Sequence, residues 1–305
     1  MTESWRVWMR TGALGDFLLS LPLLRAISRQ GAPICLITRR AYLPLLAPGC
    51  RYDRFFDCDS AGVAALFAGD AVQDDLAECL TAAELYLFLC ADSRLERALR
   101  RCGVRHITWL HPRPTAAPHV SCRFLEGAGY PAPARLVEEP LWPGPTGGSP
   151  YRSGRFLWIH PGSGSYAKNW PPGCFAGLAA AWQQLHDEKV VVSFGEADTE
   201  LRQPVADALT RQRVRWEPRT DMTLAELKDR LAAETALYIG NDSGVSHLAA
   251  AVGIPSIVLF RTTDPTIWRP LGHCLPLLPA DLAAACPATM EAIDVLRRKE
   301  KREAR

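Results

Sequence analysis

Four residues of a tight polar turn occur close together in the sequence: Asp242, Ser243, Gly244 and His247. They follow a short apolar run at 236–239 and precede apolar residues at helical spacing, so they lie between a predicted buried strand and a predicted helix. Free backbone N–H groups and the helix dipole at such a junction favour a phosphate. A simpler interpretation is that Asp242 or Ser243 caps the helix and His247 packs against it.

The N-terminal half places carboxylates after strands in the same way. Gly12 and Gly15 allow a tight turn that leads into Asp16 at the start of a helix, where an aspartate could also serve as the N-cap. Asp92 follows another apolar run, so a parallel sheet would bring it to the same edge as Asp16. The predicted elements are strands at 5–9, 34–38, 85–90 and 104–109 and a helix at 17–29.

The C-terminal half contributes two more polar loops to one predicted sheet edge. A strand at 156–160 leads into a loop of small residues, 161–170, which contains Ser163 and Lys168. A second strand at 189–194 is followed by Glu196 and Asp198. The C-terminal ends of parallel strands form a ligand-binding edge, so these loops and the Asp242 turn should converge there.

Composition indicates an ordinary globular protein of about two domains, since 305 residues are 48% hydrophobic and 22% charged. The net charge of +2 gives no general attraction for nucleic acid. Residues 297–305 are locally basic, which favours a solvated helix end, with contact to a membrane surface as the alternative. No signal peptide or membrane span is recognisable, which predicts a cytoplasmic location. The ten cysteines include no C-x-x-C pair, so we expect reduced, mostly buried thiols.

Strands alternate with helices in both halves, which predicts an α/β fold, and the Pro- and Gly-rich stretch 131–150 resembles a linker between them. Neither half has the G-x-G-x-x-G fingerprint of dinucleotide-binding proteins. Asp57 and Asp59 form a D-x-D pair, which resembles the metal-binding motif of one class of sugar-transferring enzymes. Carboxylates at this spacing are common in loops, and we therefore predict no metal site.

Three segments together resemble glycosyltransferase family 9, the ADP-heptose:lipopolysaccharide heptosyltransferases. They are RTGALGDFLLSLPLLRA at 10–26, IHPGSGSYAKNWP at 159–171, and IGNDSGVSHLAAAVGIPSIVLFRTTDP at 239–265 with WRPLG at 268–272. The resemblance implies a GT-B fold with two Rossmann-like α/β domains facing across a cleft. Residues 1–148 would bind the acceptor and residues 149–305 the nucleotide-sugar, and a last helix near 294–301 would pack back on the first domain.

The resemblance also implies a role for each matching residue. Asp16 corresponds to the catalytic base, Lys168 to a contact with the donor phosphates, and Asp198, or Glu196 if the loop is shifted, to the acidic residue near the ribose. Ser163 and the four residues at 242–247 complete the donor site, and Gly12, Gly15 and Asp92 are candidate substrate contacts. Inverting transfer needs a base on the acceptor hydroxyl and stabilisation of the leaving diphosphate, which Lys168 and the helix start would supply without a metal.

Arg261 is the clear departure from the family pattern, because a glycine is common at this position. A cation there would contact the donor phosphate, the transferred sugar or an acidic acceptor. The implied function is an inverting glycosyltransferase that uses an ADP-sugar and a lipopolysaccharide-core or related glycan acceptor, with contact at the inner-membrane surface. The alternatives are a sugar-nucleotide 2-epimerase and a non-catalytic nucleotide-sugar-binding protein.

Overall fold

The computed structural model of the chain describes residues 4–72, 74–142, 156–185 and 189–278. The chain forms two compact units, Met1–Leu136 and Val137–Arg305. The domain boundary expected at 148/149, the helix expected at 294–301 and the basic segment 297–305 lie outside the described residues. Within the described residues, no helix is both long and apolar enough to cross a membrane.

The first unit contains a five-stranded parallel sheet with helices in its connections. Its elements are β1 (Arg6–Met9), α1 (Leu14–Ser28), β2 (Ile34–Thr38), β3 (Arg54–Asp57), α2 (Ala61–Ala68), α3 (Asp74–Leu80), β4 (Glu84–Leu87), α4 (Ser93–Arg101), β5 (His106–Trp109) and α5 (Val120–Gly127). The sheet order is β3-β2-β1-β4-β5. The central strand β1 therefore carries its C-terminal end, and the turn to Asp16, into the middle of the sheet edge.

The second unit contains a six-stranded parallel sheet. Its elements are β6 (Phe156–His160), α6 (Pro172–Leu185), β7 (Val190–Ser193), α7 (Thr199–Arg211), β8 (Trp216–Arg219), α8 (Leu224–Glu234), β9 (Thr235–Asn241), α9 (Gly244–Ala251), β10 (Ser256–Leu259), α10 (Pro265–Trp268) and β11 (Cys274–Leu277). The sheet order is β11-β10-β9-β6-β7-β8. Because β6, β9 and β10 are neighbours, the loops that follow them emerge side by side.

Both sheets contain strands that are buried along their whole length and mostly apolar. All five residues of β2 are buried, and so are all four residues of β7 and of β10. Strands covered on both faces have continuous apolar sequences of this kind, which confirms the expected α/β fold. The segment at 137–142 belongs to the second unit, where the Trp142 N–H donates to the Ala251 carbonyl at 3.0 Å.

Two expectations of local structure are wrong. The strand expected at 85–90 ends at Leu87, so Asp92 lies five residues beyond it rather than just past its end. The described cysteines are all free, as expected, but only Cys35 and Cys79 are buried, whereas six are half-buried and Cys90 is exposed. Most of these thiols therefore lie at the margins of the cores.

Candidate functional site

The turn between β9 and α9 is built around the start of an eight-residue helix. Ser243 is the N-cap, and its Oγ accepts a hydrogen bond from the Ser246 N–H at 3.3 Å. Gly244 begins the helix, whose first amides point out of its N-terminal end. The close packing here requires Gly240, since a Cβ at that position would lie 2.4 Å from the Tyr238 hydroxyl. Capping by Ser243 and a helix start with free amides, the feature expected to favour an anion, are thus parts of one structure.

Asp242 contacts two of the other residues that the sequence predicts for the donor site, Lys168 and His247, and also Thr263; these four residues are called the Asp242 hub below. Asp242 Oδ2 accepts from Lys168 Nζ at 2.6 Å and from Thr263 Oγ1 at 2.6 Å, and its Oδ1 lies 3.8 Å from His247 Nε2. Burial raises the pKa of the Asp242 carboxyl, but the contacts with His247, Lys168 and Thr263 outweigh burial and hold it well below its usual range. The Asp242 carboxylate thus holds the Lys168 ammonium group in place, and Lys168 is the residue of this pair that can bind an anion.

Asn241 fixes the loop that carries Lys168. This side chain is completely buried at the end of β9. Its Oδ1 accepts from the Trp170 N–H at 3.2 Å, and its Nδ2 donates to the Pro161 carbonyl at 2.8 Å. The two bonds hold both ends of the loop 161–170 against β9. The sequence analysis missed this role, although an amide at the end of a buried strand was a usable signal.

Ser163 lies in the same loop, but its hydroxyl is engaged within it. Ser163 Oγ donates at 2.6 Å to Asn169 Oδ1 and at 2.7 Å to the Ser165 carbonyl. A serine hydroxyl has one proton, so the two contacts are alternatives. Ser163 therefore shapes the loop, because its hydroxyl proton is used within it.

Asp198 is the last residue of the β7–α7 connection and is only 4% exposed. Its Oδ2 accepts from the Gly195 N–H at 2.7 Å and lies 3.6 Å from His160 Nε2. Burial lowers the pKa of His160, while the Asp198 carboxylate opposes that shift. Gly162 is required beside this pair, because a Cβ there would lie 1.8 Å from Asp198 Oδ1. Glu196, the alternative to Asp198, is exposed.

A cavity of about 500 Å³ lies beside these loops and brings Ser163 and Asp198 together. Its other lining residues include Tyr166, Asn169, Glu200 and Leu201. Tyr166 is 85% exposed, which is unusual for an aromatic side chain. The cavity thus offers an exposed ring and acidic groups to a ligand on the N-terminal side of α7.

Arg261 reaches from the β10–α10 loop to the loop that carries Lys168. Its Nη1 donates to the Asn169 carbonyl at 2.6 Å, while Thr263 in the same loop bonds to Asp242. The side chain is exposed, and this bond directs it to the loop 161–170. Arg261 therefore adds a positive charge next to Lys168.

Asp16 occupies the third position of α1 rather than the N-cap, which corrects the expected capping role. The helix begins at Leu14, with Ala13 as its N-cap, and Asp16 Oδ2 accepts from the Ala13 N–H at 3.3 Å. A Cβ at Gly12 would approach Asp16 Oδ2 to 2.8 Å, so a glycine is needed in the turn. Gly15 is buried in the first helical turn. The half-buried Asp16 carboxylate remains accessible from the turn.

Asp92, the other candidate in the first unit, has a structural partner of its own. It is the N-cap of α4, and its Oδ1 accepts from the Leu95 N–H at 2.7 Å. An aspartate in this position stabilises the helix by roughly 0.5–2 kcal/mol. Its capping role accounts for this residue without a contact to substrate.

One group of metal-ligand side chains occurs among the described residues, at Asp57, Cys58 and Asp59. Asp57 also pairs with Arg40 at 3.6 Å, and its Oδ1 accepts from the Asp59 N–H at 3.2 Å. A guanidinium next to the group competes with a metal ion for the same carboxylate. The absence of a metal requirement stays a prediction.

Comparisons with known proteins match part of the second unit to the model of a sequence family. Residues 148–286 match the family model described as Glycosyltransferase family 9 (heptosyltransferase). Lipopolysaccharide heptosyltransferase 2 of Escherichia coli K12 is 34% identical over 115 residues, which are 35% of this chain and 31% of that protein. The aligned part spans about a third of the length of the curated relatives that it matches.

Solved structures extend the likeness of fold to both units. The structure of E. coli ADP-heptose lps heptosyltransferase II has a TM-score of 0.70 at 19% identity and covers 98% of this chain and 99% of that chain. The iron-containing dodecameric glycosyltransferase TibC from enterotoxigenic E. coli has a TM-score of 0.53 at 15% identity, covering 90% and 64%. The two parallel-sheet units confirm the expected GT-B fold class.

Proposed function

We propose that this chain is a member of glycosyltransferase family 9, whose model matches residues 148–286, and that it transfers a sugar, a heptose, from an ADP-linked donor to a lipopolysaccharide-core or related glycan acceptor. The observation that carries the proposal is the hub at Asp242, which holds Lys168 at the N-terminal end of α9. A lysine side chain next to a helix N-terminus can bind a diphosphate, since both carry positive charge and N–H donors. The solved relative named for ADP-heptose supports the choice of donor.

The cavity of about 500 Å³ favours a nucleotide as the ligand over a simple phosphate. Tyr166 presents an exposed ring on which a nucleobase could stack, which is typically worth about 1–3 kcal/mol per base. Glu200, in the first turn of α7, lines the cavity with an exposed carboxylate that would accept hydrogen bonds from ribose hydroxyls. Glu196, also exposed, lies in the short turn just before this helix. Asp198 would act there by shaping the cavity, since both of its oxygens lie close to other groups of the protein.

The proposed chemistry is transfer with inversion. Asp16 takes the proton of the acceptor hydroxyl as that oxygen attacks the anomeric carbon, and the bond from this carbon to the diphosphate breaks. The negative charge that grows on the leaving ADP is stabilised by Lys168 and by the amides at the start of α9. These groups contribute most where the charge develops, which is in the transition state.

Calorimetry with ADP-, UDP- and GDP-sugars tests the donor assignment. We expect binding of the ADP-sugar, and weaker binding of the other two, to the wild-type chain. A variant with Tyr166→Ala should bind ADP-sugar more weakly, by roughly 5- to 100-fold if the base stacks on this ring. Equal binding of the three nucleotides, or tightest binding of UDP- or GDP-sugar, would contradict the proposal of an ADP-linked donor.

Transfer is expected to proceed without a divalent metal, because Lys168 and the helix start already carry positive charge to the proposed diphosphate site. Turnover should therefore be unchanged in the presence of EDTA. The control is Asp57→Asn, which alters the one described group of metal-ligand side chains and should have no effect. Loss of activity in EDTA that is restored by a divalent metal would show this prediction to be wrong.

Arg261 is expected to influence which substrate is used. Arg261→Gly removes a cation next to Lys168 together with the bond to the Asn169 carbonyl. We expect the ratio of kcat/KM values between donor sugars or between acceptors to change by about 10-fold, the size of one charge-assisted contact. The melting temperature should change little, since the side chain is exposed. Arg261→Lys is the charge-retaining control, and an unchanged ratio in Arg261→Gly would refute the role.

A further inference from the structure

Arg10 is a buried arginine at the C-terminal end of β1. Its side chain is only 2% exposed. The guanidinium carbon lies 5.0 Å from the centre of the Phe88 ring and 5.6 Å from that of Phe124, and these two rings pack edge to face at 4.8 Å. Removing a cation from water is costly unless it is paired with an anion. The aromatic faces offset part of that cost, and the remainder requires a carboxylate.

Asp16 is the carboxylate that Arg10 meets. Arg10 Nη2 lies 3.2 Å from Asp16 Oδ1, and Arg10 Nε donates to the Asp16 backbone carbonyl at 3.3 Å. The other carboxylate oxygen, Oδ2, accepts from the Ala13 N–H. Each oxygen of Asp16 therefore has its own partner, an ion pair with Arg10 at Oδ1 and a hydrogen bond from Ala13 at Oδ2. Burial lowers the pKa of Arg10, and Asp16 opposes this shift as its anionic partner.

We propose that Arg10 is a positioning residue that sets the orientation in which Asp16 receives the proton of the acceptor hydroxyl. This inference rests on the proposed function for the role of Asp16. Arg10 itself is too buried to contact a substrate, so it acts through Asp16 alone. The two phenylalanines keep the guanidinium in place, and a misplaced base loses much of its catalytic effect. Burying the Arg10 guanidinium costs free energy, and the need to hold the Asp16 carboxylate in one orientation explains why the protein retains it there.

A double-mutant cycle tests this proposal. Arg10→Met replaces the guanidinium by an apolar chain that fits between the aromatic rings, and it should lower kcat by at least about 10-fold with donor affinity unchanged. In an Asp16→Asn background the same change should alter the residual rate by less than about two-fold, because Arg10 then has no base to orient. Arg10→Lys keeps the charge and should retain more activity than Arg10→Met.

Arg6→Met is the matched control, since Arg6 is on the same strand and pairs with Glu84 at 3.5 Å. It should leave kcat unchanged. If Arg10→Met has the same effect in both backgrounds, or if it weakens donor binding without lowering kcat, Arg10 does not act by positioning Asp16 and the proposal is overturned.

Crystal structures of the wild type and of Arg10→Met separate this proposal from the proposed function. We expect the Asp16 side chain to leave its wild-type position and to lose the bond from the Ala13 N–H. An unchanged carboxylate in Arg10→Met would overturn the positioning role whatever the chain's activity. A wild type that transfers no sugar would instead overturn the proposed function, with the structural comparison still deciding the role of Arg10.

Discussion

Replacing Asp16 by asparagine is expected to lower turnover by roughly 10²- to 10⁴-fold, the usual contribution of a general base, with little change in donor affinity. Asparagine keeps an oxygen that can accept from the Ala13 N–H, but it cannot take a proton from the acceptor. The variant should remain folded. A moderate fall in melting temperature is expected, because Arg10 loses its anionic partner while the site remains partly open to water.

Asp92→Asn is the matched control for this experiment. It makes the same chemical change in the same unit, and asparagine caps a helix about as well as aspartate does. Turnover should therefore remain at the wild-type level. Normal turnover in Asp16→Asn together with a large loss in Asp92→Asn would assign the base to Asp92 instead.

Replacing Lys168 by alanine is expected to weaken donor binding by roughly 10- to 100-fold, the effect of losing a charge-assisted contact to the diphosphate. The rate constant kcat should fall as well, because this contact strengthens as negative charge develops on the leaving group. Asp242 keeps its bond from Thr263, so the turn should stay folded. Titration calorimetry and steady-state kinetics on the same preparation measure both effects.

Lys189→Ala is the control for loss of a lysine from the second unit, since this side chain is exposed and pairs only distantly with Glu217, at 3.9 Å. It should leave both constants unchanged. Should Lys168→Ala bind and turn over the donor as the wild type does, the role of Lys168 would be limited to its ion pair with Asp242.

The main elements of the fold could be predicted from the sequence wherever local patterns decide them. The strands at 34–38 and 156–160 have the predicted bounds, because continuous apolar runs indicate buried parallel strands. The edge strands β8 and β11 were not predicted. Each contains a proline and only half-buried or exposed residues, so each forms through pairing with a neighbouring strand rather than through its own pattern.

The site could be predicted by type and position but not in its contacts. Lys168 and Asp242 are 74 residues apart in sequence, and only the adjacency of β6 and β9 brings them to 2.6 Å. This pairing changes the role inferred for Asp242, because its carboxylate binds the Lys168 ammonium group instead of facing a phosphate. Asn241 and Arg10 were missed as structural partners for the same reason. A buried polar side chain is recognised by its neighbours, which a sequence read in order does not give.

The most direct test of the proposed function is to incubate the wild-type chain with an ADP-sugar, with and without a glycan acceptor of the lipopolysaccharide-core type, and to follow ADP release and the acceptor mass. We predict that ADP is released only with acceptor present and that the acceptor gains one sugar per ADP. An epimerised donor formed without acceptor would instead indicate a sugar-nucleotide epimerase. Donor binding with neither reaction would indicate a non-catalytic binding protein, and either result would contradict the proposed transfer.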